Sequence, residues 1–175
     1  MVDKASAFHF RLMSLSFKVR DFFLPRKKIL EEVGIKEGFK VLDLGYGPGN
    51  YIKPLAEMVG PQGKIYALDI NPLALKKVEK LALRKKLKNV ITILSKDKIE
   101  LSDSCLDLVL LYDTLHELAK PDDVLKEVYR VLKPEGRLSV SDHHLKEEDI
   151  VAAIARNGWF QFVGKRPKTY SFLKV

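Results

Sequence analysis

Hydrophobic positions along this chain fall into two alternating kinds of segment. Short, nearly continuous apolar runs end at turn-forming or acidic residues, and between them lie stretches whose apolar residues recur three and four apart. The runs at 39–44 (Phe-Lys-Val-Leu-Asp-Leu), 64–70, 90–94, 106–112 and 137–141 predict strands buried on both faces, as in a parallel sheet. The run 106–112 is the most apolar and is expected at the centre. Helical spacing runs from Asn50 to Val59 and stops at Gly60-Pro61-Gln62-Gly63. A second helix is expected to start at Asn71-Pro72, with Asn as N-cap and Pro in the first turn. Its apolar stripe would come from Leu73, Val78, Leu81 and Leu83. A third spans 122–132, with Val124, Leu125, Val128, Val131 and Leu132 facing inward, and Lys133-Pro134-Glu135-Gly136 turns the chain into the strand 137–141. A fourth spans 147–157 and is stopped by Gly158. The runs 160–163 and 170–175 are joined at Arg166-Pro167-Lys168, too closely for a crossover, so they predict a hairpin.

Strands separated by helices imply a parallel sheet with right-handed crossovers, here closed by an antiparallel pair. No repeat or linker divides the pattern, so residues 1–175 read as one α/β domain. Residues 1–35 are expected to form a helical cap built on Phe8, Phe10, Leu12, Met13, Phe17, Val19 and Phe22-Phe23-Leu24, and residues 36–175 the core. The 175 residues are 46% hydrophobic, too many for a disordered chain. No apolar run reaches the roughly 18 residues of a membrane span. Met1-Val2-Asp3-Lys4 does not resemble a secretory leader, and Cys105 is the single cysteine. The expectation is a soluble, cytoplasmic protein with no internal disulfide and no cysteine-based metal centre.

The net charge of +8 is unevenly spread. Residues 76–98 carry nine Lys or Arg against two acids, residues 99–150 six against thirteen, and residues 151–175 five against none. Lysine-rich, amide-poor composition accompanies heat adaptation, and basic stretches also suit a polyanionic partner. Both readings stay open at this level.

The segment Val41-Leu42-Asp43-Leu44-Gly45-Tyr46-Gly47-Pro48-Gly49-Asn50 ends a strand and opens a helix. Glycines at 45, 47 and 49 allow backbone to pass close to a ligand, and the helix start offers unpaired N–H groups. A dinucleotide fingerprint would want Gly or Ala where Asn50 stands. Asp43 beside the turn would repel a pyrophosphate and attract an ammonium or sulfonium. Asp69, at the end of the next strand, is placed to accept ribose hydroxyls or to cap the following helix, although Asn71 already serves as a cap. Asp97, past the third strand, is placed to meet an adenine amino group or to lie in solvent between Lys96 and Lys98.

On these residues the chain resembles the class I S-adenosylmethionine-dependent methyltransferases, in particular the small-molecule branch that includes quinone-biosynthesis enzymes. The resemblance covers 38–141 and rests on Asp43-Leu-Gly-Tyr-Gly-Pro-Gly49, Ala67-Leu-Asp-Ile70, Leu101-Ser-Asp-Ser-Cys-Leu-Asp-Leu-Val109, Leu115-His-Glu117 and Arg130-Val-Leu-Lys-Pro-Glu-Gly136. It implies a three-layer Rossmann-like fold with a mostly parallel seven-stranded sheet. It also implies S-adenosyl-L-methionine as cofactor. Asp43, Gly45, Gly47 and Gly49 would hold the methionine part, Asp69 the ribose, Asp97 with Lys98 the adenine, and Leu111 and Tyr112 would lie beneath. Tyr46, Asn50 and Ile70 belong to the same turns and join the set. Tyr46 is a departure, since small residues are common there; its phenol would narrow the pocket or face the sulfonium by cation–π attraction.

Methyl transfer is a direct displacement that alignment and exclusion of water can accelerate without a dedicated base. Candidate bases are His116, Asp113 and His143, although His116 also fits a packing or capping role. Adjacent histidines are expected to point apart, so His143 and His144 are not read as a metal site. The segment from Asp142 to Asp149 is too short for a substrate domain. A small acceptor held under the cap, or a surface completed by another chain such as a second copy, is therefore expected. The fourth-strand end, Leu111-Tyr112-Asp113-Thr114, lacks the Asn/Asp-Pro-Pro-Tyr pattern of amino-methylating nucleic-acid enzymes. A small-molecule acceptor is thus preferred over RNA or protein, with a non-catalytic cofactor-binding subunit as a further alternative.

Overall fold

A computed structural model describes residues 26–96 and 98–175. The cap residues named from Phe8 to Leu24, and Asp97, lie outside the described residues. The elements are α1 (Arg26–Glu31), β1 (Lys40–Leu44), α2 (Ile52–Val59), β2 (Lys64–Asp69), α3 (Pro72–Lys85), β3 (Val90–Leu94), β4 (Leu106–Tyr112), a 3-10 turn (Leu115–Glu117), α4 (Pro121–Val131), β5 (Leu132–Ser141), α5 (Glu147–Ala155), β6 (Phe160–Lys165) and β7 (Tyr170–Lys174). One seven-stranded sheet has the order β3-β2-β1-β4-β5-β7-β6. Strands β1 to β5 pair in parallel, and β7 runs antiparallel to both β5 and β6. The expected fold class is the one observed, with β4 in the middle.

The period of two along a strand divides the core into layers. On one face Val41, Ile65, Leu108 and Leu110 pack with α1, α2 and α3. On the other, Leu42, Val109, Leu111 and Leu138 pack with α4 and α5. In α3 the stripe is Leu73, Ala74, Val78 and Leu81, whereas Leu83 is 82% exposed. Leu83 stands five positions beyond Val78, which rotates it well away from the buried face. Asn71 caps α3 as expected, its side chain accepting from Leu73 N at 2.9 Å.

One connection differs from expectation because tertiary partners override local sequence. β5 begins at Leu132, opposite Leu106, and pairing resumes at Arg137 opposite Leu108. The predicted turn Lys133–Gly136 is therefore a bulge inside one strand, with Glu135 in the left-handed region at φ 63°. The link from β3 to β4 carries no helix among its described residues. That connection is pinned to α4 by Arg130, whose guanidinium donates to the carbonyls of Leu101 (2.8 Å) and Ile99 (2.8 Å), to Asp103 (2.6 Å) and to Glu127 (2.8 and 2.9 Å).

Candidate active site

The C-terminal ends of β1, β2 and β4 open onto a cavity of about 330 Å³. In an open parallel sheet this edge, where connections leave in opposite directions, is where ligands bind. The glycine turn forms one wall, and its glycines answer three different demands. A side chain at Gly45 (φ 75°) would overlap Thr114 Oγ1, and one at Gly49 (φ 78°) would overlap Val78 of α3. At Gly47 (φ 51°), an added Cβ meets nothing within 4 Å, because that position borders the cavity.

Asp43 lies at the base of this wall and is 2% exposed. Its Oδ2 is buried without a hydrogen-bond partner. Burial, and then the charge of Asp69, push its carboxyl up to about 7. Asp69 straps two segments together: Oδ2 accepts from Gly47 N and Oδ1 from Asn71 N, each at 2.8 Å. Burial raises its carboxyl above the usual range, against the opposing pull of backbone N–H groups. Asp69 is thus bonded to the turn before α3, while Asn71 alone caps the helix. The Tyr46 ring is buried, and its hydroxyl has no hydrogen-bond partner. Burial, then the charges of Asp69, Asp43 and Glu79, hold that phenol well above its ordinary range. Tyr112 sits on the cavity floor, its hydroxyl bonded to Ser139 Oγ at 2.9 Å and its ring edge-on to Tyr51 at 5.1 Å.

The sequence-derived set is largely brought together. Asp43, Gly45, Tyr46, Gly47, Asn50, Asp69, Ile70, Lys98 and Tyr112 all line the cavity. Leu111 does not: it is fully buried in the layer under α4, because odd and even residues of β4 face opposite sides. Gly49 packs on α3 rather than lining the cavity. Among the candidate bases, Asp113 lines the cavity and His116 and His143 do not. His143 Nδ1 stands 2.7 Å from Asp113 Oδ1, and His116 Nδ1 stands 2.8 Å from Asp142 Oδ2. The expectation that adjacent histidines point apart is corrected. The loop after β5 brings the His143 and His144 rings to 3.9 Å between centroids, and His144 to 4.2 Å from His116. Among the described residues, no group of three or more His, Cys, Asp or Glu is arranged to hold a metal.

Arg26 and Thr114 went unnoticed in the sequence. Arg26 is 7% exposed, lines the cavity and donates to Tyr51 Oη at 2.7 Å. Its neighbours Lys27 and Lys28 make the segment read as a solvated charge run. Thr114 bonds the Tyr112 carbonyl at 3.0 Å and closes over Gly45, a contact between positions far apart in the chain.

A cleft with a buried unpaired carboxylate oxygen, a second acid at the end of β2, an open glycine position and a lysine past β3 suits an amino-acid-bearing nucleoside. This fold and cleft are those of the class I S-adenosylmethionine-dependent methyltransferases, and the chain belongs to that family: the family described as a methyltransferase domain matches residues 35–160. A demethylmenaquinone methyltransferase from Lactobacillus johnsonii is 33% identical over 136 residues, which are 77% of this chain and 54% of that protein. The ubiquinone/menaquinone biosynthesis C-methyltransferase UbiE of Cupriavidus taiwanensis is 31% identical over 111 residues, 63% of this chain and 46% of that protein. The chain thus spans about half the length of the curated relatives it matches. Among solved structures, a SAM-dependent methyltransferase from Aquifex aeolicus is 30% identical with TM-score 0.74, covering 86% of this chain and 88% of that one. The [4+2]-cyclase SpnF, 19% identical with TM-score 0.69 over 79% of this chain and 58% of its own, shares the fold alone. That likeness also shows that the fold does not dictate the reaction. Among the described residues, no helix is long and apolar enough to cross a membrane.

Proposed function

We propose that this chain holds S-adenosylmethionine in the cleft and methylates an O, N or C nucleophile of a small acceptor. The observation that carries the reading is the buried, unpartnered Asp43 Oδ2 beside an open glycine turn. A polar atom so placed is costly until a ligand donor meets it. Asp43 would take the ammonium end, Asp69 the ribose hydroxyls through the lone pairs its backbone bonds leave free, and Lys98 and Ile99 would flank the adenine. Gly45, Gly47, Asn50 and Ile70 would form the walls, and Tyr112 the floor. Bound there, S-adenosylmethionine supplies a methyl group activated by its sulfonium.

The protein's own part is to align the acceptor and exclude water, and, where the nucleophile carries a proton, to receive it. Asp113 is best placed for that proton, because it lines the cavity and is backed by His143. His116, turned to Asp142, would order the rim. The two relatives named for quinone-pathway methylation support a hydroquinone ring as acceptor, and the acidic middle segment around the cleft gives no electrostatic preference for a nucleic acid.

Incubation with methyl-labelled S-adenosylmethionine and, in parallel, a 1,4-naphthohydroquinone, bulk RNA or a protein extract tests this reading. Label is expected in the hydroquinone. Label confined to RNA or protein would transfer the assignment to the basic surface. Tight cofactor binding with no label in any fraction would make the chain a binding subunit.

A further inference from the structure

Two side-chain polar atoms of the segment 43–49 are buried in the cavity wall without a hydrogen-bond partner, Asp43 Oδ2 and the Tyr46 hydroxyl. They stand three residues apart in the chain, and Gly47 follows directly with open space beside it. Their hydrogen-bonding senses are opposite: a carboxylate oxygen only accepts, and a phenol has a proton to give. Burial and the surrounding acids keep that phenol protonated. A ligand that satisfies both atoms must present a donor and an acceptor side by side. The ammonium and carboxylate of an amino acid do so with full charges, whereas a nucleoside offers only neutral pairs, and charge-assisted bonds are the stronger ones.

We propose that Tyr46 is a specificity-determining residue of the cleft, its hydroxyl donating to the carboxylate of the cofactor's amino-acid end while Asp43 accepts from the ammonium. This rests on the assignment of S-adenosylmethionine to the cleft and adds to it the means of choosing amino-acid-bearing nucleosides over truncated ones. Arg26, buried in the same cavity wall, adds positive charge to a cavity that also holds both acids. An orphan hydroxyl lowers the stability of the ligand-free protein, a cost that a binding role accounts for and a purely structural role does not.

The test is titration calorimetry on the full chain with S-adenosylhomocysteine and with 5′-methylthioadenosine, which shares the nucleoside and thioether but lacks the amino-acid group. Tyr46→Phe should lower affinity for S-adenosylhomocysteine about tenfold, the size expected for a hydrogen bond to a charged group. It should leave 5′-methylthioadenosine within about twofold, inside the spread of such measurements. The ligand-free variant should melt at a higher temperature than the wild type, because a buried unsatisfied group has gone; a structural hydroxyl would give the opposite shift. An arm without any variant compares S-adenosylhomocysteine with its decarboxylated analogue on the wild type, where about a tenfold loss is expected. Equal weakening of both ligands by Tyr46→Phe, no weakening of either, or a lowered melting temperature would each overturn the proposal. Failure of the wild type to bind either nucleoside would sink the cofactor reading itself, a result distinct from any of these.

Discussion

The raised carboxyl of Asp43 ties stability to pH and, on the proposed reading, cofactor binding as well. Below about pH 4 its carboxyl is protonated in both folded and unfolded chains. Between the ordinary value of 3.8 and the folded value of about 7, the unfolded chain has lost that proton and the folded chain keeps it. The folded state then binds more protons, so stability falls as pH rises through this window, by about 1.4 kcal/mol per unit at the steepest. Asp69, also raised by burial, acts in the same direction. Urea unfolding of the ligand-free chain should show greater stability at pH 5.5 than at pH 7.5, and Asp43→Asn should remove most of the difference. An unchanged slope in the variant would place its source elsewhere. An ammonium-bearing ligand needs the ionised carboxylate, so its affinity should rise over the same interval. Asp43 and Asp69 could be recognised in the sequence because an acid at a strand end beside glycines is unusual whatever the rest of the chain does. Arg26 and Thr114 could not, because their roles come from partners that only folding brings near.

Among the elements, the connection from β3 to β4 is the one in which a side chain replaces secondary structure. Arg130 supplies bonds to two carbonyls and two carboxylates and thereby fixes Ile99, which lines the cavity and is 4% exposed. Glu127 completes the strap by accepting from Ile99 N at 3.0 Å. Arg130→Ala should destabilise the fold by about 2 kcal/mol, less than the sum of its bonds because the guanidinium is a third exposed. Amide hydrogen exchange across 98–103 should quicken, and S-adenosylhomocysteine and 5′-methylthioadenosine should lose affinity equally, since the proposed adenine contacts, Lys98 and Ile99, stand on this loop and both ligands carry the adenine. Unchanged exchange there would show that β3 and β4 hold the loop by themselves. The same contrast explains which elements the sequence revealed. Strands and helices with their own periodicity, such as β4 and α4, were readable residue by residue. The β5 bulge was not, because the register against β4 creates it. Nor was the short turn Leu115–Glu117, where the His116 amide is held by Asp142 at 3.2 Å.

Over the whole molecule, the uneven charge now has a location. The basic stretch 76–98 lies largely on α3 and the edge strand β3, on one flank of the sheet. Among its described residues, Lys96 and Lys98 alone reach the cavity. Heat adaptation works through networks of opposite charges, yet among the described residues no ion pair engages Lys76, Lys80 or Arg84, while pairs do join α4 and α5 to other elements. Those three cations stand four residues apart on one exposed helical face, where like charges repel by about 0.2–0.5 kcal/mol per pair. A stabilising network is therefore not what this face supplies. Lys80→Glu would turn both repulsions into attractions, and the new acid would stand four residues before Arg84, the more favourable order. The variant should melt at a slightly higher temperature and bind S-adenosylhomocysteine as the wild type does, because the substitution is remote from the cleft. Binding of heparin, measured as a function of salt, separates the remaining readings. If the flank grips a polyanion, the wild type should bind with a steep salt dependence and Lys80→Glu should weaken it. If neither protein binds, the lysines serve solubility, and the acceptor is left to the cleft and its rim.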